Sequence, residues 1–431
     1  MKLTPRRILG GGWLLFLLYC YPGFLQTDGA NLLVDLQYGT ITDWYSPTFA
    51  VLWRVTDLFF AGPAGMLLLQ SGLLLGGAYH LLRRHTEDRR ASWISVAVLL
   101  FPGVLATGAL VSAEGLLAGM FAAAAAALSS ERRNVRLVGL GVIALACGLR
   151  WYAWICALPI VLATFSWGDE TPWRRRGIAI AAWLVCALLS AGINALVVDH
   201  PSRRNELQLS LGDTVNTLCY AKLGDAQIRV AIAGARLAPT PDIQGRACEL
   251  KGRSSAWTTG DARIFEPPTT DAERDALVAA RTSIALAAPA AFLAHRWRMF
   301  VRAIGVSSSS SALYTEPLQD VGQAQAIGHL ASHSRLQSVL IAPMRWLAKT
   351  PLLRPWLYLL LALVALPFAV IERERIAIAL LASGLLYELT VMFTALTAQR
   401  RESHWMMAAT VLAVALLIVR RFWPVSGKTP A

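Results

Sequence analysis

The sequence predicts an all-α polytopic membrane protein with about ten transmembrane helices and one extracytoplasmic insertion. Three observations lead there. The 431 residues are 55% hydrophobic and only 16% charged, against about 25% charged in an ordinary soluble protein. The apolar residues run together in stretches of span length. The cations gather where those stretches end, as Lys2/Arg6/Arg7, Arg83/Arg84/Arg89/Arg90, Arg132/Arg133/Arg136, Arg174 to Arg176, Arg373/Arg375 and Arg420/Arg421. Clusters of that kind keep loops on the cytoplasmic side, and one topology places all of them there. The formal charge of +13 is therefore a membrane signature, and nucleic acid is not expected as a partner.

A window of about twenty residues per span puts helices near 8–25, 63–82, 92–111, 114–130, 136–150, 153–167, 177–197, 355–371, 375–397 and 404–421. The basic-then-apolar N-terminus has no small-residue cleavage site after it and reads as an uncleaved signal anchor. Residues 48–60 are apolar but broken by Arg54 and Asp57, which suits a helix lying in the interface. Three regions follow: a transmembrane module 1–197 with a first loop 26–60, a polar extracytoplasmic segment 198–353 with interfacial helices, and C-terminal transmembrane helices 354–431. Cys219 and Cys248 are the two cysteines outside apolar runs, and an oxidising compartment would favour their pairing.

The first loop is the stretch on which the rest depends. After the apolar run Ile8 to Leu25, Asp28 is the first anion, at the depth where a lipid-borne substrate presents its head. Two readings of Asp28 stand side by side: a base or electrophile-stabilising carboxylate, or an N-cap for the helix that follows. Glu114 opens a later apolar run, where an acid also suits the helix dipole. Arg150 stands at an outward turn against the positive-inside pattern. A phosphate would explain it, as would snorkelling to headgroups. Glu388 is an acid inside an apolar run, where such groups face a polar cavity or a cation. His329 and His333 are four residues apart without an acid or cysteine beside them, so a divalent cation has no ligand spacing to support it. No cofactor is certain, a divalent cation staying open without that support, and no Walker loop, GxGxxG, GxSxG or HExxH pattern occurs.

Pro22-Gly23, Asp28, Gly39, Asp43-Trp44, Pro47 and Trp53 together resemble the first outer loop of the GT-C superfamily of polytopic glycosyltransferases. The likeness is to those dependent on polyprenyl-phosphate sugars, of the dolichyl-phosphate-mannose-protein mannosyltransferase and ArnT-like type. Relatives read Asp-Trp-His-Pro-Pro where this chain has Asp43-Trp44-Tyr45-Ser46-Pro47. Ala288 to Arg296 is similar to a family signature of Pro, an aromatic position and His-Arg, here His295-Arg296. Arg401 and His404 match part of an Arg-Tyr-His-Tyr pattern, with Glu402 and Ser403 between them. The resemblance implies a GT-C-like fold and an inverting hexosyl- or pentosyltransferase with Asp28 as catalytic carboxylate. It further implies that Asp43 and Glu114 position acceptor or sugar, and that Arg150, His295, Arg296, Arg401 and His404 form the rest of the substrate site. The partners would be a polyprenyl-phosphate sugar donor and a lipid or glycan acceptor. The setting would be the bacterial inner membrane of the cell envelope, with the active site facing the periplasm. A transporter or flippase, or a polymerase of lipid-linked glycans, is the alternative.

Overall fold

The computed structural model describes residues 3–168, 171–199, 204–238, 242–250, 263–307, 334–395 and 399–423; His329 and His333 lie outside them. Among these residues there are nineteen α-helices and no strand beyond isolated bridges. Four helices are long and apolar enough to cross a membrane, six if two bent pairs each count as one span, and three shorter apolar helices accompany them. The chain divides into two compact units, one of residues 1–200, 304–390 and 400–431, the other of 201–303 and 391–399.

In the first unit, α1 (Pro5–Cys20) leads to α2 (Thr27–Gln37), α3 (Pro47–Asp57) and the apolar α4 (Ala64–Leu82). Helix α1 stops five residues short of the apolar run that announced it. Pro22 disfavours helical geometry at Tyr21, and Phe24 instead pairs in parallel with Leu110. The predicted span 92–111 is α5 (Asp88–Leu99) and α6 (Pro102–Gly108), bent by 63° where Pro102 begins the second piece. Helix α7 (Ala113–Leu128) packs on α4 along small residues. A Cβ on Gly119 would stand 2.5 Å from the Gln70 carbonyl oxygen, and one on Gly77 2.5 Å from the Ala122 carbonyl carbon. Only glycine permits backbones so close, the usual basis of tight helix pairing in a bilayer.

Helices α8 (Arg133–Leu149), α9 (Ala153–Thr164) and α10 (Pro172–Val197) continue the bundle. They hold α3 through polar ties: Ser46 Oγ donates to the Gly148 carbonyl (2.8 Å), and Thr48 Oγ1 donates to Asn194 Oδ1 (2.7 Å). After the second unit come α16 (Arg335–Leu347), α17 (Pro355–Ile371), α18 (Arg375–Thr394) and α19 (His404–Phe422). Helix α16 packs on α1, and its Gln337 side chain donates to the Tyr21 carbonyl. Arg420 pairs with Glu374 and fastens the end of α19 to the α17–α18 turn.

The second unit is built on α11 (Arg204–Tyr220). Its Leu207, Leu211, Val215 and Leu218 recur on one face and meet α12 (Asp225–Ala231), α13 (Ile243–Glu249) and α14 (Asp271–Ala287). Cys219 and Cys248 are joined by a disulfide with Cα atoms 4.7 Å apart. Thr270 and Glu273 form a capping box at the start of α14. Pro289 ends α14 and begins α15 (Pro289–Ala303), with a bend of 108° between them. The polar segment expected over 198–353 thus contributes 201–303 to this unit, while α16 belongs to the first.

Candidate functional site

In the first unit the backbone brings the first loop and the α6–α7 turn together. The Phe24 N–H donates to the Ala109 carbonyl (3.0 Å), and the Val111 N–H donates to the Phe24 carbonyl (2.9 Å). Gly23 makes this approach possible: its φ is +123°, and a Cβ there would lie 2.6 Å from the Val111 side chain. Gln70, buried in α4, donates to the Gly108 and Leu110 carbonyls (2.8 and 2.9 Å) and supports the same turn from below. Two acids are placed by this arrangement. Asp28 lies in the first turn of α2, whose N-cap is Gln26, so the N-cap position expected for Asp28 is not the one it occupies. Glu114 lies in the first turn of α7, whose N-cap Ser112 accepts from the Gly115 N–H at 3.1 Å.

Each acid holds an arginine from elsewhere in the chain. Arg401 Nη2 donates to Asp28 Oδ2 at 2.6 Å, a pair spanning 373 positions of sequence. Arg150, at the C-terminal end of α8, donates to Glu114. Glu114 is also within electrostatic range of Arg401, so the two pairs form one charge-balanced group. The group is unevenly exposed: the Asp28 side chain is 50% exposed, Arg150 33%, Arg401 11% and Glu114 1%. Tyr45 stands near Asp28: its hydroxyl bonds to Asn31, and burial, then the Asp28 charge, push it up to about 12. It is therefore a neutral hydrogen-bond donor across the physiological range. Asp43 is half-buried in the turn before α3.

The turn carrying Arg401 is a 3-10 helix, Arg400–Ser403, that runs into α19. Ser403 Oγ donates to Glu388 Oε1 (2.9 Å), Trp405 Nε1 donates to Ser383 Oγ (2.9 Å), and Ser383 Oγ donates to the Cys156 carbonyl (2.6 Å). His404 is buried and its Nδ1 bonds to Thr107 Oγ1. The histidine expected in the substrate site is therefore engaged in holding α19 to α6.

The second unit contains a different arrangement. Asp213, 2% exposed on α11, accepts from Arg281 Nε at 2.6 Å and from Arg296 Nη2, and its other oxygen contacts His295 Nε2 at 3.2 Å. Arg296 Nη1 also donates to the Ala395 carbonyl (2.8 Å). Burial alone would raise the Asp213 carboxyl, but the His295 hydrogen bond and the charges of Arg296 and Arg281 outweigh it and hold the group below the usual carboxylate range. His295 and Arg296 are 5% and 1% exposed. The two signature residues that the resemblance placed in the substrate site are thus turned inward, because a buried carboxylate claims them. The exposed cations of that helix are Arg298, stacked 4.0 Å over the Tyr220 ring, and Arg302.

Sequence reasoning missed Asp213, Gln70 and Asn31. Each sits in a pattern that looks ordinary, a polar helix for Asp213, an apolar run for Gln70 and a loop helix for Asn31, and none carries a local motif. Among the described residues, no group of three or more His, Cys, Asp and Glu side chains is placed to hold a metal ion.

No protein-family model matches the chain, and no curated protein does. Among solved structures, ArnT from Cupriavidus metallidurans bound to undecaprenyl phosphate aligns with 94% of this chain and 77% of its own, at 14% identity and a TM-score of 0.35. The apo state of the same protein aligns with 95% and 76%, at 12% identity and 0.32. A likeness of this size says nothing about donor, acceptor or residue roles in the present chain.

Proposed function

We propose that the chain transfers a sugar from a polyprenyl-phosphate-linked donor to an acceptor hydroxyl at the outer face of the bacterial inner membrane. The observation that carries this reading is the half-exposed Asp28 carboxylate held by Arg401, with buried Glu114 and its partly exposed partner Arg150 beside it. Asp28 takes the proton from the acceptor hydroxyl, whose oxygen attacks the anomeric carbon. The bond from that carbon to the phosphate oxygen breaks, and polyprenyl phosphate leaves with its electron pair. A base next to guanidinium groups suits this chemistry, since the proton is accepted beside the charge that stabilises the leaving phosphate. Arginine binds phosphate oxygens through a planar fork of donors. Arg401 donates to Asp28 through Nη2, and a guanidinium carries further donors for the phosphate. Tyr45 and Asn31 line the acceptor side. Donor contacts fall to Arg401 and Arg150, because His295 and Arg296 are committed to Asp213.

The test is lipid-linked sugar analysis in a deletion strain. Accumulation of a polyprenyl-phosphate sugar together with an acceptor that lacks one sugar supports the reading. A complete acceptor with lipid-linked glycan trapped on the inner leaflet would favour the flippase instead.

A further inference from the structure

We propose that Glu388 is a positioning residue: through Ser403 it fixes the turn that aims Arg401 at Asp28. This rests on the transferase reading for its kinetic consequence but not for its geometry. Three consecutive side chains behind Arg401 are buried, and each is fastened to a helix other than its own. Ser403 bonds to Glu388 of α18, His404 to Thr107 of α6, and Trp405 to Ser383 of α18. The last two are bonds between neutral groups of the kind any apolar bundle contains. The first is different. Glu388 is 1% exposed within an apolar span, and its Oε2 has no hydrogen-bond partner among the described residues.

An acid inside an apolar span is costly and is rarely idle. Among the described residues its hydrogen bond goes to Ser403, which ends the turn, two positions from Arg401. Glu402, between them, is within electrostatic range of Arg401, Glu114, Arg150 and Glu388. Glu388 is therefore joined by a hydrogen bond to the turn that carries Arg401. Without the Ser403 anchor the turn loses its tie to α18 at the position two residues from Arg401. Arg401 would then sample orientations that do not reach Asp28, and a misplaced binding group costs affinity for the phosphate more than it costs folding.

The test uses the full-length protein in membranes or detergent. Ser403→Ala and Glu388→Leu should each raise KM for a polyprenyl-phosphate sugar about tenfold, the worth of one buried hydrogen bond. Glu388→Gln keeps an acceptor oxygen and should recover most of the loss. In an Arg401→Ala background, Ser403→Ala should add nothing further, as expected of residues that act through one another. A merely structural role would lower the amount of folded protein and leave KM unmoved. Independently of activity, the Asp28→Cys/Arg401→Cys protein should be joined by a short bis-maleimide, and adding Ser403→Ala should reduce that yield severalfold. Unchanged KM together with unchanged cross-linking overturns the proposal. If Glu388→Leu does not fold, Ser403→Ala, which removes one oxygen atom, decides alone. If the wild-type protein transfers no sugar, the proposed function fails and the cross-link still decides the positioning claim.

Discussion

Two clusters of acid and arginine in this chain use the same chemistry and differ in what surrounds it. Asp213 in the second unit is 2% exposed and accepts from two arginines while a histidine contacts its other oxygen. Asp28 in the first unit is half exposed and holds one arginine. A carboxylate whose hydrogen-bond sites are filled and dry has nothing left to offer a ligand, whereas one with an open side can take a proton or meet a substrate. Ion pairing by itself therefore does not mark a functional site; the open side of the Asp28 carboxylate is what supports the role proposed for it.

The comparison breaks first at Asp28. Asp28→Asn keeps the size and most hydrogen bonding, so the protein should accumulate and unfold as wild type does. Its transfer rate should fall by at least the 10²–10⁴-fold typical of losing a general base. Near wild-type turnover at equal protein levels would leave Asp28 as no more than an acid suited to the start of α2. Arg150→Ala should show itself in donor binding, with activity recoverable at high donor.

Asp213→Ala should have the opposite phenotype. Removing one partner strands buried charge, which costs about 3–5 kcal/mol. Thermal unfolding in detergent should move down markedly, and any activity lost should track the amount of folded protein. Arg296→Ala should behave as a folding variant too; a selective rise in donor KM with unchanged stability would return it to the substrate site.

Reduction of the Cys219–Cys248 bond is expected to weaken the second unit by about 3–4 kcal/mol in the chain-entropy view of a loop of this size. Limited proteolysis with and without reductant should show cleavage within 201–303 accelerated by reduction, while the first unit remains resistant.

The smallest expected effect is with pH. The folded Asp213 carboxyl is depressed, so its contribution is fully present above the unfolded carboxylate range near pH ~4 and is lost as pH falls through the lower folded value. Stability of the second unit should be flat from neutrality to pH ~4 and decline below it, and Asp213→Asn should abolish that decline. A decline that persists in the variant would assign it to other acids.

Much of the helical framework was legible in the residues. Apolar runs bounded by arginine, proline or glycine announced α4, α7, α17 and α19 within a few positions, because a span of fixed length must satisfy its own backbone bonds in lipid. The disulfide partners were legible for a similar local reason, as the two cysteines outside apolar runs. The single long span expected at 92–111 divides at Pro102, a break for which the proline was visible although the bend was not.

The sequence by itself determined which segments are apolar, where the cations end them, and which ionisable residues stand at helix ends. Those are properties of neighbours along the chain. Only the tertiary structure decided which acid holds which arginine: Arg401 reaches Asp28 across 373 positions, and Arg296 reaches Asp213 across 83. Both arginines sit beside a histidine in sequence or close to one, and nothing local distinguishes them. Their difference arises from burial, since a desolvated carboxylate draws in every donor within reach, and from the Phe24–Leu110 pairing that leaves Asp28 at an open edge.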